Sequence, residues 1–380
     1  MEQEEEKSVR TWSNESYRYP RSSSTRRYLV SALVGVVILY ALFFVRLPYF
    51  IFMPGTAEEI KPMVTIPKSQ GTEQGTLMLT TVRVADANLM SYLVGLVHPY
   101  EEIEPKTSVL QKGESEQEYS QRQEYVMLTS QASAIQAAYK EAKVPYHIEH
   151  EGVMVLQTVA GLSGEKSLKP GDVLLKADAR DIKVSQDLLD ALKGKKAGDT
   201  VAISFKRNKV EQQATLALGT LPQQAGETGT PRAGIGVVPA DMQSVKAESA
   251  DQQVEIKAGE IGGPSAGLMF SLEIYNQLIP EDITKGYRIA GTGTIEADGT
   301  VGPIGGIQHK IIAADREKAD IFFAPKNMTY PDGTKINNYD DAVKRAKQIK
   351  TKMKVVEIGT MEEAIKYLAD LPPKSEQTTK

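Results

Sequence analysis

Two short stretches hold the residues best suited to covalent chemistry. The first is Gly262-Gly263-Pro264-Ser265-Ala266-Gly267, a serine crowded on both sides by small residues. Small neighbours let backbone and substrate come close to the hydroxyl. Leu268, Met269 and Leu272 follow Ser265 at i+3, i+4 and i+7, which predicts a helix beginning at the serine. The free N–H groups and dipole at a helix start favour a developing oxyanion. Gly262, Gly263, Pro264 and Ala266 are therefore expected to form the nucleophile and oxyanion loop. A plain N-cap serine is the simpler alternative, although Leu268 at N3 leaves no capping box.

The second stretch runs from Gly302 to Ala314. Its glycines close a loop, and a helix is expected from near Gly306. Ile307, Lys310, Ile311 and Ala314 then share one apolar face, with His309 and Arg316 expected on the polar face. A lysine in such a stripe either snorkels to water or is buried. Burial disfavours the cation and lowers the pKa from about 10.4. A neutral amine can accept a serine proton, so Ser265 as nucleophile and Lys310 as base is the chemistry these types allow. A rival is a Ser-His-Asp hydrolase, because Gly263-x-Ser265-x-Gly267 satisfies G-x-S-x-G. Pro264 fits the strained elbow of that motif poorly. The only later histidine is His309, about 100° around the helix from Lys310.

Composition closes other routes. There is no cysteine, which removes thiol catalysis, disulfides and thiolate metal sites. The four histidines form no HExxH pair, so no metal and no cofactor are expected. A net charge of −4 gives no support for nucleic-acid binding. No G-x-x-x-x-G-K-[ST] loop occurs, and the nearest string, Gly164-Glu165-Lys166-Ser167, lacks the Gly-Lys step, so no nucleotide is expected.

The elements that must position these residues follow from patterning. Tyr28 to Val45 is uncharged and long enough to cross a bilayer. Lys7, Arg10, Arg18, Arg21, Arg26 and Arg27 precede it, whereas only Arg46 and Lys61 follow closely. The positive-inside rule places residues 1–27 in the cytoplasm, a span at 28–45, and the bulk of the chain outside. Residues 46–123 are expected to be a β-containing extracytoplasmic segment, with a helix from Glu114 to Lys143. Strands at Val153–Val159, Val173–Lys176, Val201–Phe205 and Ala214–Leu218, with a short helix from Ser185, form a β-rich module at 124–220. Residues 221–236 are dense in Gly, Pro, Thr and Gln and read as a linker. An α/β domain at 237–371 and a tail at 372–380 complete an α+β chain.

The stretch from about Lys257 to Lys347 resembles the proteolytic domain of Lon-type proteases, which use a Ser-Lys dyad. The resemblance rests on Gly263-Pro264-Ser265-Ala266-Gly267, on Pro303-Ile304-Gly305-Gly306 followed by Lys310, and on Gly291-Thr292-Gly293-Thr294-Ile295. The family often has an acidic residue where Thr294 stands; Thr292 or Thr294 could instead hydrogen-bond Lys310. Gly152-Val153-Met154-Val155 and Leu168-Lys169-Pro170-Gly171-Asp172-Val173-Leu174 resemble a PDZ domain. The whole layout is similar to the membrane-anchored, PDZ-containing Lon-like proteases of bacteria. The resemblance implies an ATP-independent serine endopeptidase acting on peptides or small proteins outside the cytoplasm. It also implies a peptide groove with Gly152, Val153 and Val155 on an edge strand and Leu188 and Leu192 on a facing helix. A peptide-binding membrane scaffold without catalysis is the alternative from another class.

Overall fold

The computed structural model describes residues 23–71, 73–222, 232–259 and 261–374. Most of the expected tails and the central part of the expected linker, 223–231, lie outside the described residues. Helix α1 (Ser23–Phe44) covers the apolar run. Strand β1 (Arg46–Glu59) follows, then β2 (Thr76–Asn88), α2 (Leu89–Gly95), β3 (Glu102–Pro105) and the long α3 (Glu116–Ala142). Ser115 starts α3 through a reciprocal capping box with Glu118. Its buried residues include Met127, Ala134, Ile135 and Ala138, the face expected from their spacing.

A second module follows: β4 (Tyr146–Thr158), β5 (Val173–Ala177), α4 (Ser185–Leu192), β6 (Thr200–Arg207), β7 (Val210–Ala217) and β8 (Val237–Ala247). The chain ends in α5 (Gly267–Leu278), β9 (Arg288–Gly291), α6 (Ile307–Arg316), β10 (Ile321–Pro325), α7 (Asn338–Ile349), β11 (Lys354–Ile358) and α8 (Met361–Ala369).

The catalytic sheet runs in the order β11-β10-β9-β2-β1-β3. Strands β9, β10, β11 and β2 are parallel, while β1 and β3 join antiparallel. Residues 46–105 therefore supply half of a sheet whose other half comes from beyond residue 287, rather than standing apart as a separate segment. Local patterning shows that a strand exists but not which strand it pairs with. Leu77, Leu79, Leu268, Leu272, Ile289 and Phe323 lie in one core with Met127 and Ala138 of α3. A smaller core on the other side holds Ile307, Ile311, Ala314 and Phe322.

The second sheet has the order β8-β4-β5-β6-β7, antiparallel throughout. Strand β8, expected in the last domain, belongs here: Val238 pairs with Gln157 and Ala247 with Tyr146. The expected linker contains structure as well, since Ala233–Gly234 pairs with Gly219–Thr220.

Candidate active site

Ser265 sits in a tight 3-10 turn, Pro264–Ala266, that leads straight into α5. Gly263 enters this turn at φ +84°, a conformation that favours glycine. Four contacts fix the turn. Gly263 N–H donates to the Gln123 carbonyl at 3.0 Å, and Ser130 Oγ donates to the Pro264 carbonyl at 2.9 Å, both from α3. The Ser265 carbonyl accepts from Gly293 N–H at 2.8 Å and from Thr292 Oγ1 at 2.9 Å. With its backbone held from both sides, the serine can present its hydroxyl in one direction.

Lys310 comes from the first turns of α6. The expected face is buried: Ile307, Lys310, Ile311 and Ala314 all lie in the interior. Lys310 Nζ donates to the Thr80 carbonyl of β2 at 2.6 Å and to Ser265 Oγ at 3.0 Å. Burial takes the lysine pKa down to about 7 from 10.5, because desolvation disfavours the cation. An amine of that pKa is substantially neutral at physiological pH and touches the hydroxyl it would deprotonate.

A cavity of about 830 Å3 opens over the pair. Gly262, Gly263, Pro264, Ser265, Ala266 and Lys310 line one side of it, and Phe52, Gly55, Thr56 and Glu58 of β1 with Leu79–Val84 of β2 line another. The nucleophile loop and the lysine, taken from separate stretches of sequence, thus face one cleft.

Other expectations fare differently. Neither Thr292 nor Thr294 reaches Lys310. Thr292 holds the Ser265 carbonyl, and Thr294 pairs with Gly302 in a two-residue ladder. The contact to the amine comes instead from Thr80, which sequence reasoning missed. Thr80 is itself anchored, its hydroxyl donating to the Gly291 carbonyl at 3.0 Å. His309 is not on a polar face: it is 1% exposed, with Nε2 3.4 Å from Glu102 Oε2 at the start of β3. Ser265 Oγ therefore has Lys310 as its partner, and the Ser-His-Asp geometry is not formed.

The peptide groove also needs correction. Gly152, Val153 and Val155 lie on β4, which pairs with β8 on one side and β5 on the other. A strand paired on both sides has no free N–H and C=O row to accept a peptide. Val153 and Val155 are core residues, and Gly152, at φ +124°, packs where a Cβ would lie 2.7 Å from the Leu174 carbonyl. The edge strands of this sheet are β8 and β7, and β8 is the one beside α4. Between its start and α4 lies a cavity of about 510 Å3 lined by Leu188, Leu189, Leu192 and residues 232–237. Leu188 and Leu192 of α4 thus face a cavity whose other wall is the start of β8. The signal was Gly234-Ile235-Gly236-Val237, a glycine-flanked entry into a β-branched run.

Comparison with known proteins agrees with this architecture. Residues 240–370 match the family model of the Lon protease (S16) C-terminal proteolytic domain, and residues 130–218 match that of the PDZ domain. The chain thus joins a PDZ domain to a proteolytic domain of the Lon-type serine peptidases. Among curated relatives, the peroxisomal Lon protease homolog 2 of Caenorhabditis elegans is 27% identical over 49% of this chain and 21% of its own. The Lon protease of Campylobacter concisus is 32% identical over 27% of this chain and 12% of its own. The chain therefore spans about a fifth or less of the length of these relatives. Among solved structures, the PDZ domain of the SdrC-like protein from Listeria monocytogenes is 30% identical, covering 23% of this chain and 86% of its own, with a TM-score of 0.20.

Proposed function

We propose that this chain is a single-pass membrane peptidase that cleaves peptides or small proteins outside the cytoplasm, without nucleotide, through a Ser265–Lys310 dyad. The observation that carries the reading is the buried Lys310 amine, 3.0 Å from Ser265 Oγ in an open cleft. Neutral Lys310 takes the Ser265 proton as Oγ attacks the scissile carbonyl. The C–N bond then breaks, and the departing amine takes that proton. Water hydrolyses the acyl-serine with Lys310 again acting as base. The start of α5 supplies the dipole that favours the oxyanion.

The membrane reading rests on α1. Thr25–Phe44 has a mean hydropathy of 2.1, and none of it is buried against the other described residues. An apolar helix that no protein covers fits a lipid surrounding. The basic residues before it and their scarcity after it support a cytoplasmic N-terminus. Independence from ATP rests on the lack of a phosphate loop in these 380 residues. Substrates are accordingly short, loosely folded or already accessible. The PDZ groove between β8 and α4 recruits them, an extended peptide adding to the free edge of β8.

The test is cleavage of an unstructured protein by the full chain in detergent, with no nucleotide added, beside the Ser265→Ala variant. Cleavage by the parent alone supports the dyad. No cleavage by either favours a peptide-binding scaffold, and strict dependence on ATP rejects the nucleotide-free reading.

A further inference from the structure

Helix α2 presents an apolar face that none of the described residues covers. Leu89 to Val97 contains no charged residue. Met90, Leu93, Val94, Leu96 and Val97 are all exposed, Leu96 at 62% and Val97 at 82%. The other side of α2 is fully engaged. Gly95 packs against Ile103 of β3, and the Tyr92 ring lies 5.1 Å from that of Tyr49 on β1. The exposed face is therefore a second surface of a helix already docked, not the loose end of a flexible one. Leaving such side chains in water forgoes the free energy that their burial would release.

The position of α2 identifies what covers it. Asn88 caps α2, its side chain accepting from Ser91 N–H at 2.8 Å. The same side chain donates from Nδ2 to the Phe43 carbonyl in the last turn of α1 at 3.2 Å. One residue thus ties the start of α2 to the end of α1. A small cleft of about 310 Å3 joins the two helices and is lined by Phe43, Met53, Met90 and Val94 among others. Tyr49, Tyr92 and Tyr100 stand nearby, the residue type enriched at membrane–water boundaries.

We propose that α2 and the following turn through Val97 lie in the headgroup–acyl boundary of the bilayer that α1 crosses, forming a second membrane contact. This rests on the reading of α1 as a span. A lipid surface fits better than a soluble partner because the apolar face is continuous with α1 and begins where that helix leaves the bilayer. An uncharged segment rich in Leu and Val with aromatic neighbours is suited to that layer. The consequence is geometric. A single span lets the domain swivel, whereas span plus α2 fixes two points. Strand β1 then leads from Arg46 at the surface to Thr56 in the catalytic cleft. At ~3.3 Å per residue, the cleft stands on the order of 30 Å along that strand from the membrane.

The test uses the full chain reconstituted in phosphatidylcholine vesicles with brominated acyl chains, which quench tryptophan by contact. The sequence has one tryptophan, Trp12, so Trp12→Phe gives a silent background. Three probes are added singly: Val36→Trp in the span, Leu96→Trp in the α2 face, and Leu189→Trp at the PDZ groove. The expected result is strong quenching of the Val36→Trp and Leu96→Trp variants and none of Leu189→Trp. The Leu96→Trp probe is expected to respond more to bromines near the headgroup than to those near the chain end. Val97→Trp repeats the measurement at the most exposed position. Quenching of Val36→Trp with neither α2 probe affected overturns the proposal and leaves the span intact. Blue-shifted but unquenched α2 probes overturn it in favour of a second copy of the chain covering the face. If Val36→Trp is itself unquenched, the span reading fails and this inference fails with it.

Discussion

Replacing Lys310 with methionine is expected to abolish cleavage and to make the catalytic domain more stable. The stem volume is kept and the buried amine is removed. Lys310 is 2% exposed, and its pKa falls from 10.5 to about 7. One pKa unit corresponds to about 1.4 kcal/mol, so at pH 7 the buried amine costs on the order of 4 kcal/mol relative to the unfolded chain. Its hydrogen bonds to the Thr80 carbonyl and Ser265 Oγ offset this by roughly 1 kcal/mol each. The variant is left about 2 kcal/mol more stable than the parent. The pH dependence follows from the direction of the shift. The folded value lies below the unfolded one, so between about 7 and 10.5 the unfolded chain binds more protons. Parent stability therefore rises with pH across that window. The advantage of Lys310→Met is full below about pH 7, shrinks above it, and turns into a deficit before pH 10.5, once the cost of burial falls below the offset from the two hydrogen bonds. Urea unfolding of the detergent-solubilised chain, read beside hydrogen exchange in residues 307–316, measures the gap. A variant less stable than the parent at every pH, or a gap that widens with rising pH, refutes the reasoning. Lys310→Arg is expected to be inactive and destabilised, since guanidinium remains charged in the same buried site.

Cleavage by the parent is expected to rise with pH through about 7 and then level off, as the Lys310 amine becomes neutral. A steady-state profile that is flat there removes Lys310 as the base. Thr292→Val deletes one of two donors to the Ser265 carbonyl and keeps the shape. It is expected to lower kcat by up to about tenfold with little change in KM, as measured on a short peptide. Glu273 on α5 is fully buried, and burial, with the charge of Glu73, raises its carboxyl to about 7. A raised carboxyl loses folded stability as pH climbs from 4.5 through about 7. Glu273→Gln is therefore expected to gain on the order of 2 kcal/mol above that pH and nothing near 4.5, read from paired melting curves.

The two side chains of the proposed dyad are legible because each breaks a local expectation. Ser265 stands where several side chains are reduced to almost nothing, and Lys310 is a charge in an apolar stripe. Thr80 carried no such mark. It is a strand threonine 230 positions from the lysine it contacts, and only the β2–β9 register brings its carbonyl there. The threonines nearer in sequence, Thr292 and Thr294, were plausible partners by proximity alone. His309 was misplaced for a related reason. Periodicity distinguishes one apolar face from the rest, but α6 packs against β1, β2 and α7 together, and the ring is buried as well. Local alternation points to β4 for the strand side of the proposed groove because it cannot say which strand lies at an edge. The glycine-rich approach to β8 looked like a linker by composition alone.

The pairing that upset those boundaries also explains how the two modules are joined. Strands β4 and β8 enter and leave the PDZ sheet side by side, with Tyr146 opposite Ala247. A module whose ends are adjacent can be inserted in another domain without straining it. Here it interrupts the catalytic domain between α3 and the strand pair Glu255–Ile256 with Val64–Thr65. Helix α3 is consequently shared. Its Gln123 carbonyl and Ser130 hydroxyl hold the turn that carries Ser265, while Tyr125 Oη donates to the Asp241 carbonyl of β8 at 3.1 Å. Asp241 in turn accepts from Ser185 N–H at 2.7 Å, at the start of α4. The wall of the peptide groove and the nucleophile turn are thus two loads on one helix. A displacement of α3 large enough to break the Tyr125 contact also disturbs the carbonyl that positions Gly263.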